Sequence, residues 1–482
     1  MHFRTILRIL GVLLMLFSLS LLPPAGLSFL FDDGTWPAFS SAFLITLFCG
    51  LACWLPTHNN RADLRTRDGF LIVALFWTVL GLFGSIPFFM SERMQMSFTD
   101  SLFESISGLT TTGATVLLGL DDLPKSILYY RQQLQWLGGM GIIAIAVAIL
   151  PMLGIGGMQL YKAESPGPVK DNQLLPRVTQ TAKALLFIYV SLTALCAIAY
   201  YFAGMGAFDA IAHSYSTVSI GGFSTHDESI GYFKNPTIEL IAVFFMIISG
   251  INFALHFFAL NARTLKNYWG DTELKFYLFL LFSISAITIF VLFVSGTYSL
   301  NDAIVKGLFG VVSISTTTGF SSADFSSWPT LLPFLLFYMA IIGACAGSTG
   351  GGMKVIRIVL IIKQGFRELE RLIHPNAVNP IKLGNNKVPD RIIEAVWGFF
   401  SVYVMAYMFM LLALLATGLD ITTAFTAVGA SINNLGPGLG DVAETYGNMP
   451  VSTKWILCLG MLLGRLEVFT LLVLLTPHFW RN

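Results

Sequence analysis

Four short tetrapeptides ending in glycine are the stretches of this chain best suited to chemistry. They are Thr110-Thr111-Thr112-Gly113, Ser219-Ile220-Gly221-Gly222, Thr316-Thr317-Thr318-Gly319 and Asn433-Asn434-Leu435-Gly436. Their glycines lie 109, 97 and 117 residues apart. The chemistry on offer is ion coordination by backbone. Glycine enters positive φ without steric penalty, so successive carbonyls can turn toward one axis. A ring of carbonyl oxygens can replace the water shell of K⁺. Six residues before each glycine stands a small residue: Ser107, Ser216, Ser313 and Ala430.

The elements that must position these loops are apolar. The 482 residues are 55% hydrophobic and 11% charged, with a mean hydropathy of +0.73. That composition specifies a polytopic membrane protein and excludes a soluble globular core. Segments long enough to cross about 30 Å of hydrocarbon are expected near residues 5–30, 38–56, 69–90, 129–154, 180–204, 236–260, 274–295, 329–362, 391–417 and 453–476. Ten crossings place both termini on one side. The apolar start, with Arg4 and Arg8 before it, reads as a retained first span, because no small-x-small cleavage site precedes Phe29. Shorter apolar segments at 98–112, 207–220, 301–317 and 420–434 cannot span, and each ends at one of the four glycines. The unit is span, half-helix, glycine loop, span, repeated four times.

The expected architecture is therefore an all-α polytopic membrane protein. Four pseudo-symmetric helix–pore-loop–helix repeats surround one pore, after two added N-terminal helices. The boundaries are 1–60 for the addition, then 61–160, 161–262, 263–370 and 371–482 for the repeats. Non-helical backbone at membrane depth is tolerated only where protein buries it or water lines it. One Thr-Thr-Thr-Gly alone could be an outer turn; four copies in the same setting favour a water-lined pore.

Charge sets the orientation. Of the 28 Lys and Arg, 21 fall on the side of the termini, six on the other side, and Arg465 inside a span. The positive-inside bias puts both termini in the cytoplasm and opens the glycine loops outward. Carboxylates outnumber bases on the outer side, among them Asp121, Asp209, Asp227, Glu228, Asp324 and Glu444. Negative charge at a pore mouth concentrates cations. Net charge is only +1, which points to no nucleic-acid partner. The five cysteines lie in or near apolar segments without a His or carboxylate cluster, so they read as buried small hydrophobes.

On these motifs the chain resembles the Trk/Ktr/HKT superfamily of potassium transporters, over essentially its whole length. The resemblance implies one pore per subunit, with a K⁺ filter at Thr111, Thr112, Gly113, Ile220, Gly221, Gly222, Thr317, Thr318, Gly319, Asn434, Leu435 and Gly436. Rb⁺ would substitute as permeant ion. In plant relatives a serine at the first position accompanies Na⁺ preference; glycine at all four positions favours K⁺. Ile220-Gly221 and Asn434-Leu435 depart from the threonine pattern, so the filter is not four-fold identical.

Two features lie below the loops. The eighth span is interrupted by Gly343, Gly347, Ser348, Thr349, Gly350, Gly351 and Gly352, leading to Lys354. Each glycine destabilises a helix by about 1 kcal/mol relative to alanine, so no helix runs through it. Read from residues alone, this is a flexible exit toward the basic segment; a phosphate loop is disfavoured, because Gly-Lys-Ser/Thr is absent and the run lies inside a span. The resemblance implies an intramembrane loop that obstructs and gates the pore. Arg465 stands eleven residues after Lys454, about 16 Å deep at 1.5 Å per residue. It is either a structural ion pair or, as the resemblance implies, a cation facing the pore below the filter. Glu467 points to a different helix face and would support it structurally.

Lys354–Arg391 is basic, and attraction to anionic membrane lipid explains it by default. The resemblance adds a homodimer and docking by a separate TrkA-like cytoplasmic regulatory subunit binding NAD or ATP, with no nucleotide bound by this chain. It also places the chain in a bacterial inner membrane. A gated K⁺ uptake channel is the leading expectation. A K⁺/H⁺ or K⁺/Na⁺ symporter is the alternative, for which Asp100, Glu104, Asp209 and His213 are titratable candidates expected to face outward, while His256 reads as a packing residue. A membrane enzyme is disfavoured, because no nucleophile has a His partner and no metal-ligand spacing occurs.

Overall fold

The computed structural model describes residues 2–59, 65–141, 178–329, 331–376, 379–384 and 386–480. Within them the chain is helical, apart from one antiparallel pair of two-residue strands, Lys382–Leu383 with Asn386–Lys387, in the basic segment. Six helices are long and apolar enough to cross a membrane, or seven if the bent pair Pro236–Ser249 and Phe253–Ala262 counts as one. This is a multi-pass membrane protein. The expected crossing at 129–154 runs beyond the described residues after 141, as do Lys162, Lys170 and the boundary between the first two repeats.

The N-terminal helices Phe3–Leu19 and Trp36–Trp54 pack closely through two glycines. A Cβ on Gly11 would lie 2.7 Å from the Gly50 carbonyl oxygen, and one on Gly50 2.9 Å from that of Gly11. In lipid no hydrophobic drive pushes helices together, so small residues that allow backbone contact do that work.

Each of the four half-helices follows a long span and stops well short of crossing. They are Phe98–Leu109, Ala207–Val218, Leu300–Ser315 and Ile421–Ile432, of 12, 12, 16 and 12 residues. At 1.5 Å per residue they are about 18–24 Å long. Ser97, Ser299 and Asp420 cap three of them by accepting from the backbone N–H of Asp100, Asp302 and Thr423. Asp100, Asp209 and Asp302 sit in first turns, where the partial positive charge of the helix end favours a carboxylate.

Behind the half-helices, among the described residues, the second helix of a repeat is interrupted three times. The eighth expected span is Leu331–Ile342, a loop, then Val355–Ile373. Two further breaks have no counterpart in the sequence reading. Pro236–Ser249 turns through 88° into Phe253–Ala262, and Val451–Arg465 ends before Phe469–Leu475. The last break carries no glycine of its own: Glu467 and Val468 both take positive φ, 52° and 54°. Gly11→Val is expected to destabilise the N-terminal pair by about 1–3 kcal/mol, the usual effect of overpacking, read as a lower thermal midpoint of the detergent-solubilised protein.

Candidate functional site

All four half-helices end in the same way. The N–H of Thr112, Gly221, Thr318 and Leu435 donates to the carbonyl of Ser107, Ser216, Ser313 and Ala430, at 2.8–2.9 Å. One residue earlier, the N–H of Thr111, Ile220, Thr317 and Asn434 reaches back to Gly108, Thr217, Ile314 and Ser431. This is the Schellman closure of a helix C-terminus, which requires one residue in the left-handed region. Here that residue is Thr111 at φ 55°, Ile220 at 56°, Thr317 at 67° and Asn434 at 53°. A β-branched residue there is held against a cost of about 1–3 kcal/mol. The small residues six positions before each glycine are thus the acceptors of the closing bond.

The glycine that follows two residues later again has positive φ: 82°, 83°, 80° and 96° in chain order. Between them Thr112, Gly221, Thr318 and Leu435 do not. Alternating signs of φ turn successive carbonyls to one side of the strand.

The four loops close on one another in sequence order. A Cβ on Gly113 would lie 2.3 Å from the Gly221 carbonyl oxygen; on Gly222, 1.9 Å from that of Thr318; on Gly319, 2.1 Å from that of Leu435; and on Gly436, 2.7 Å from that of Thr112. Each glycine backs onto the carbonyl of the next loop, and the fourth returns to the first. No side chain fits at any of the four. All four glycines line one outer cavity of about 1200 Å³, together with Asp227, Glu228, Asp302, Asp324 and Glu444.

Beneath the ring lies the interrupted eighth span. Gly351 N–H donates to Thr317 Oγ1 at 2.7 Å and Gly352 N–H to the Asn433 carbonyl at 3.1 Å. Thr349 Oγ1 donates to the Val218 carbonyl at 3.0 Å. The loop therefore abuts the ends of the second, third and fourth half-helices. Here glycine is required by contact: a Cβ on Gly351 would meet the Asn433 carbonyl oxygen at 1.9 Å. The buried Lys354 ammonium donates to the Gly350 carbonyl within the same loop. Gly343, Gly347 and Gly352 have positive φ, and Ser348 Oγ donates to Cys345 O at 2.6 Å.

Arg465 ties this loop to the first repeat. Its guanidinium donates through Nη1 to the Thr349 carbonyl at 3.2 Å and through Nη2 to the Gly138 carbonyl at 2.8 Å. It also lies over the Trp77 ring at 5.1 Å. A small cavity of about 40 Å³ joins Arg465, Lys354, Glu467 and the glycines of the loop.

With this geometry in hand, comparison with known proteins is decisive. The TrkH family profile, described as a cation transport protein, matches residues 36–481. The chain belongs to the TrkH cation transport family. It is 58% identical over 482 residues to the Trk system potassium uptake protein TrkH of Halomonas elongata, covering all of both chains. It is 55% identical over 483 residues to the protein of that name in Escherichia coli K12, again over both full lengths. Its fold matches the crystal structure of the potassium transporter TrkH from Vibrio parahaemolyticus with a TM-score of 0.91, 53% identity and full coverage of both chains. The matched relatives carry transporter names and no enzymatic one.

Within this family member the structure brings together every residue of the predicted loops and of the interrupted span. It differs from the sequence reading at two titratable residues. Glu104 and His213 do not face outward. Glu104 is fully buried, pairs with Arg131 at 2.7 Å and accepts Val116 N–H at 3.0 Å. His213 is fully buried between the Asp209 carbonyl and Ser224 Oγ. Arg131, within the expected span at 129–154, is buried inside the helix Lys125–Gly139. Glu467 serves Arg357, to which it is ion-paired.

Sequence reasoning missed the polar face of that same helix. Gln132 and Gln135 both bond the second glycine loop. The available signal was Arg131-Gln132-Gln133-x-Gln135 at the start of an apolar span, where polar residues are expensive unless they have partners.

At the mouth, a loop of the first repeat meets one of the second. His226 Nδ1 contacts Asp121, its Nε2 lies 3.6 Å from Asp209 Oδ1, and its ring stacks on Tyr232 at 3.5 Å. Burial disfavours its imidazolium, but the neighbouring carboxylates of Asp209 and Asp121 outweigh this and raise its pKa above the ordinary histidine value. A raised folded pKa gives stability that is full below the unfolded pKa of about 6.5 and lost as pH rises through the folded value. The thermal midpoint is therefore expected to fall between pH 6 and pH 9, and His226→Gln is expected to remove that part of the pH dependence.

Proposed function

We propose that this chain carries K⁺ into a bacterial cell across the inner membrane, through a gated channel-like pore with one filter per subunit. The reading divides the chain at 61, 161, 263 and 371 into an N-terminal helix addition and four pore repeats. The closed cycle of glycine-to-carbonyl contacts carries it. Four loops that touch in the order of the chain, each at the end of an inward-aimed half-helix, present the carbonyls of Thr112, Gly221, Thr318 and Leu435 to a common centre. The half-helix C-termini bring partial negative charge to the same place. A dehydrated cation is what such a centre stabilises. The names of the full-length relatives, potassium uptake protein and potassium transporter, support K⁺ as that cation.

In this reading the filter is formed by residues 111–113, 220–222, 317–319 and 434–436, and residues 343–354 form the gate. The loop stands on the axial path below the filter, and Arg465 latches it to Gly138 of the first repeat while placing positive charge under the ring. A cation moving inward meets both a steric and an electrostatic barrier, so conduction requires the loop to leave. The Arg357–Glu467 pair fixes the helix ends on which the loop hinges. Both termini face the cytoplasm, and the basic face of 354–391 receives a nucleotide-binding regulatory subunit that acts on the adjoining gate. Two copies of the chain form the transporting unit.

The decisive experiment is ⁸⁶Rb⁺ flux into liposomes under an imposed voltage, with and without a pH gradient. Downhill flux set by voltage is expected. Rb⁺ accumulating on a pH gradient alone, at zero voltage, would establish symport instead. Arg465→Ala is expected to raise basal flux roughly tenfold, because hydrogen bonds from a charged donor each hold the closed loop by about 1.5–3 kcal/mol; unchanged flux would leave Arg465 a purely structural tie. Gly113→Ser would force a side chain against the Gly221 carbonyl and is expected to weaken discrimination against Na⁺ in Rb⁺ competition assays.

A further inference from the structure

The four filter copies differ in what holds the residue just before the glycine. In the first and third copies it is a threonine anchored to its own half-helix. Thr112 Oγ1 bonds Thr110 Oγ1 at 2.8 Å, and Thr318 Oγ1 bonds Thr316 Oγ1 at 2.7 Å. Thr110 and Thr316 in turn donate to Ile106 and Val312 carbonyls, both at 2.7 Å. In the fourth copy that residue is Leu435, and its two neighbours are held instead: Tyr446 OH donates to the Gly436 carbonyl at 2.8 Å, and Asn434 Nδ2 donates to Thr112 Oγ1 at 3.0 Å.

The second copy has no such side chain. Gly221 and Gly222 follow one another, and two adjacent glycines make this the segment with the greatest backbone freedom. Its anchor comes from another repeat. Gln135, fully buried on the helix Lys125–Gly139, donates from Nε2 to the Gly221 carbonyl at 2.6 Å. Its Oε1 accepts the Phe223 N–H at 3.0 Å. One amide thus brackets Gly222 on both sides. Gln132 adds a bond to the Phe223 carbonyl at 3.0 Å, and Arg131 one to the Ser224 carbonyl at 3.1 Å. The Gln135 amide also occupies the space a side chain at 221 would need: a Cβ there would lie 2.4 Å from Gln135 Cδ.

We infer that Gln135 is a specificity-positioning residue. It takes, from the first repeat, the place of the missing threonine in the second, and discrimination between K⁺ and Na⁺ depends on it. The inference rests on the filter reading above. It does not require Gln135 to touch the ion; it acts by fixing the direction of the Gly221 carbonyl. A carbonyl free to swing inward follows a smaller ion and loses selectivity for the larger one.

The experiment is Rb⁺ uptake into liposomes with Na⁺ as competitor, on five proteins: wild type, Gln135→Met, Gly221→Thr, Gln135→Ala with Gly221→Thr, and Gln133→Leu. Methionine keeps the volume and shape and removes both hydrogen bonds. Gln135→Met is expected to lower K⁺-over-Na⁺ preference about tenfold, the scale of one strong hydrogen bond lost from a buried site. Gly221→Thr alone is expected to lose preference or flux, since threonine collides with Gln135. The double variant removes that collision and recreates the anchor of the first and third copies, so its preference should exceed that of either single change. Gln133 bonds the Ser20 carbonyl at 2.7 Å, away from the loops, and its variant should match wild type. Full preference retained in Gln135→Met overturns the inference, as does a double variant no better than both single ones. A wild type that does not discriminate overturns the filter reading itself. Monodispersity on size exclusion separates altered selectivity from misfolding, and if Gln135→Met fails it, the swap still decides.

Discussion

Backbone contacting backbone at four points is the constraint on which the rest of this structure depends. Gly113, Gly222, Gly319 and Gly436 each sit where a Cβ would strike the carbonyl of the next loop. The ring can close only if four chain segments arrive at the same depth, in the same sense, with no side chain between them. A half-helix that stops inside the protein delivers each segment to that depth. The Schellman closures then turn the chain at the same residue of each copy, and none of the four turning residues is glycine: three are β-branched and the fourth is asparagine. Such strain persists only where the surroundings over-determine it. Ties behind the ring supply this: Arg131 to Glu104 at 2.7 Å, Lys306 to Glu239 at 2.7 Å, Lys454 to Asp100 at 2.6 Å.

Below the ring the four-fold likeness ends. The loop between Leu331–Ile342 and Val355–Ile373 inserts beneath the ring, beside the breaks after Ser249 and after Arg465. Phe253 N–H donates to the Gly347 carbonyl at 2.9 Å, and Cys345 N–H to the Gly250 carbonyl at 3.0 Å. On the opposite side Arg465, the last residue before the break in the fourth repeat, holds Thr349. In the proposed reading the symmetric part of the molecule serves coordination, and the asymmetric part serves control. The loop is fixed to half-helix ends by a few hydrogen bonds, so in that reading its release need not disturb the ring above.

The sequence made part of this legible. Apolar length and glycine density are local properties, so the half-helices, their terminal glycines and the interruption at 343–352 could be read directly. The break at Gly250 could not, since a single glycine in an apolar run is ordinary. The break at Leu466–Val468 has no glycine of its own; the nearest, Gly464, lies inside the preceding helix and packs against the Ile432 carbonyl, so local residue types did not mark it. Pairings across more than a hundred residues, such as Arg357 with Glu467, were likewise out of reach. The burial of Glu104 was not legible because its partner, Arg131, stands 27 residues away on the next helix. What the pattern of residues did show was that the second and fourth copies depart from threonine; what it hid was how neighbouring repeats compensate.

The central claim is that the four loops form one coordination centre. Anomalous diffraction from crystals grown in Rb⁺ tests it most directly. The account predicts a Rb⁺ peak on the axis of the ring, within coordinating distance of the carbonyl oxygens of Thr112, Gly221, Thr318 and Leu435. Rb⁺ bound elsewhere in the protein, with no peak at the ring, would contradict it.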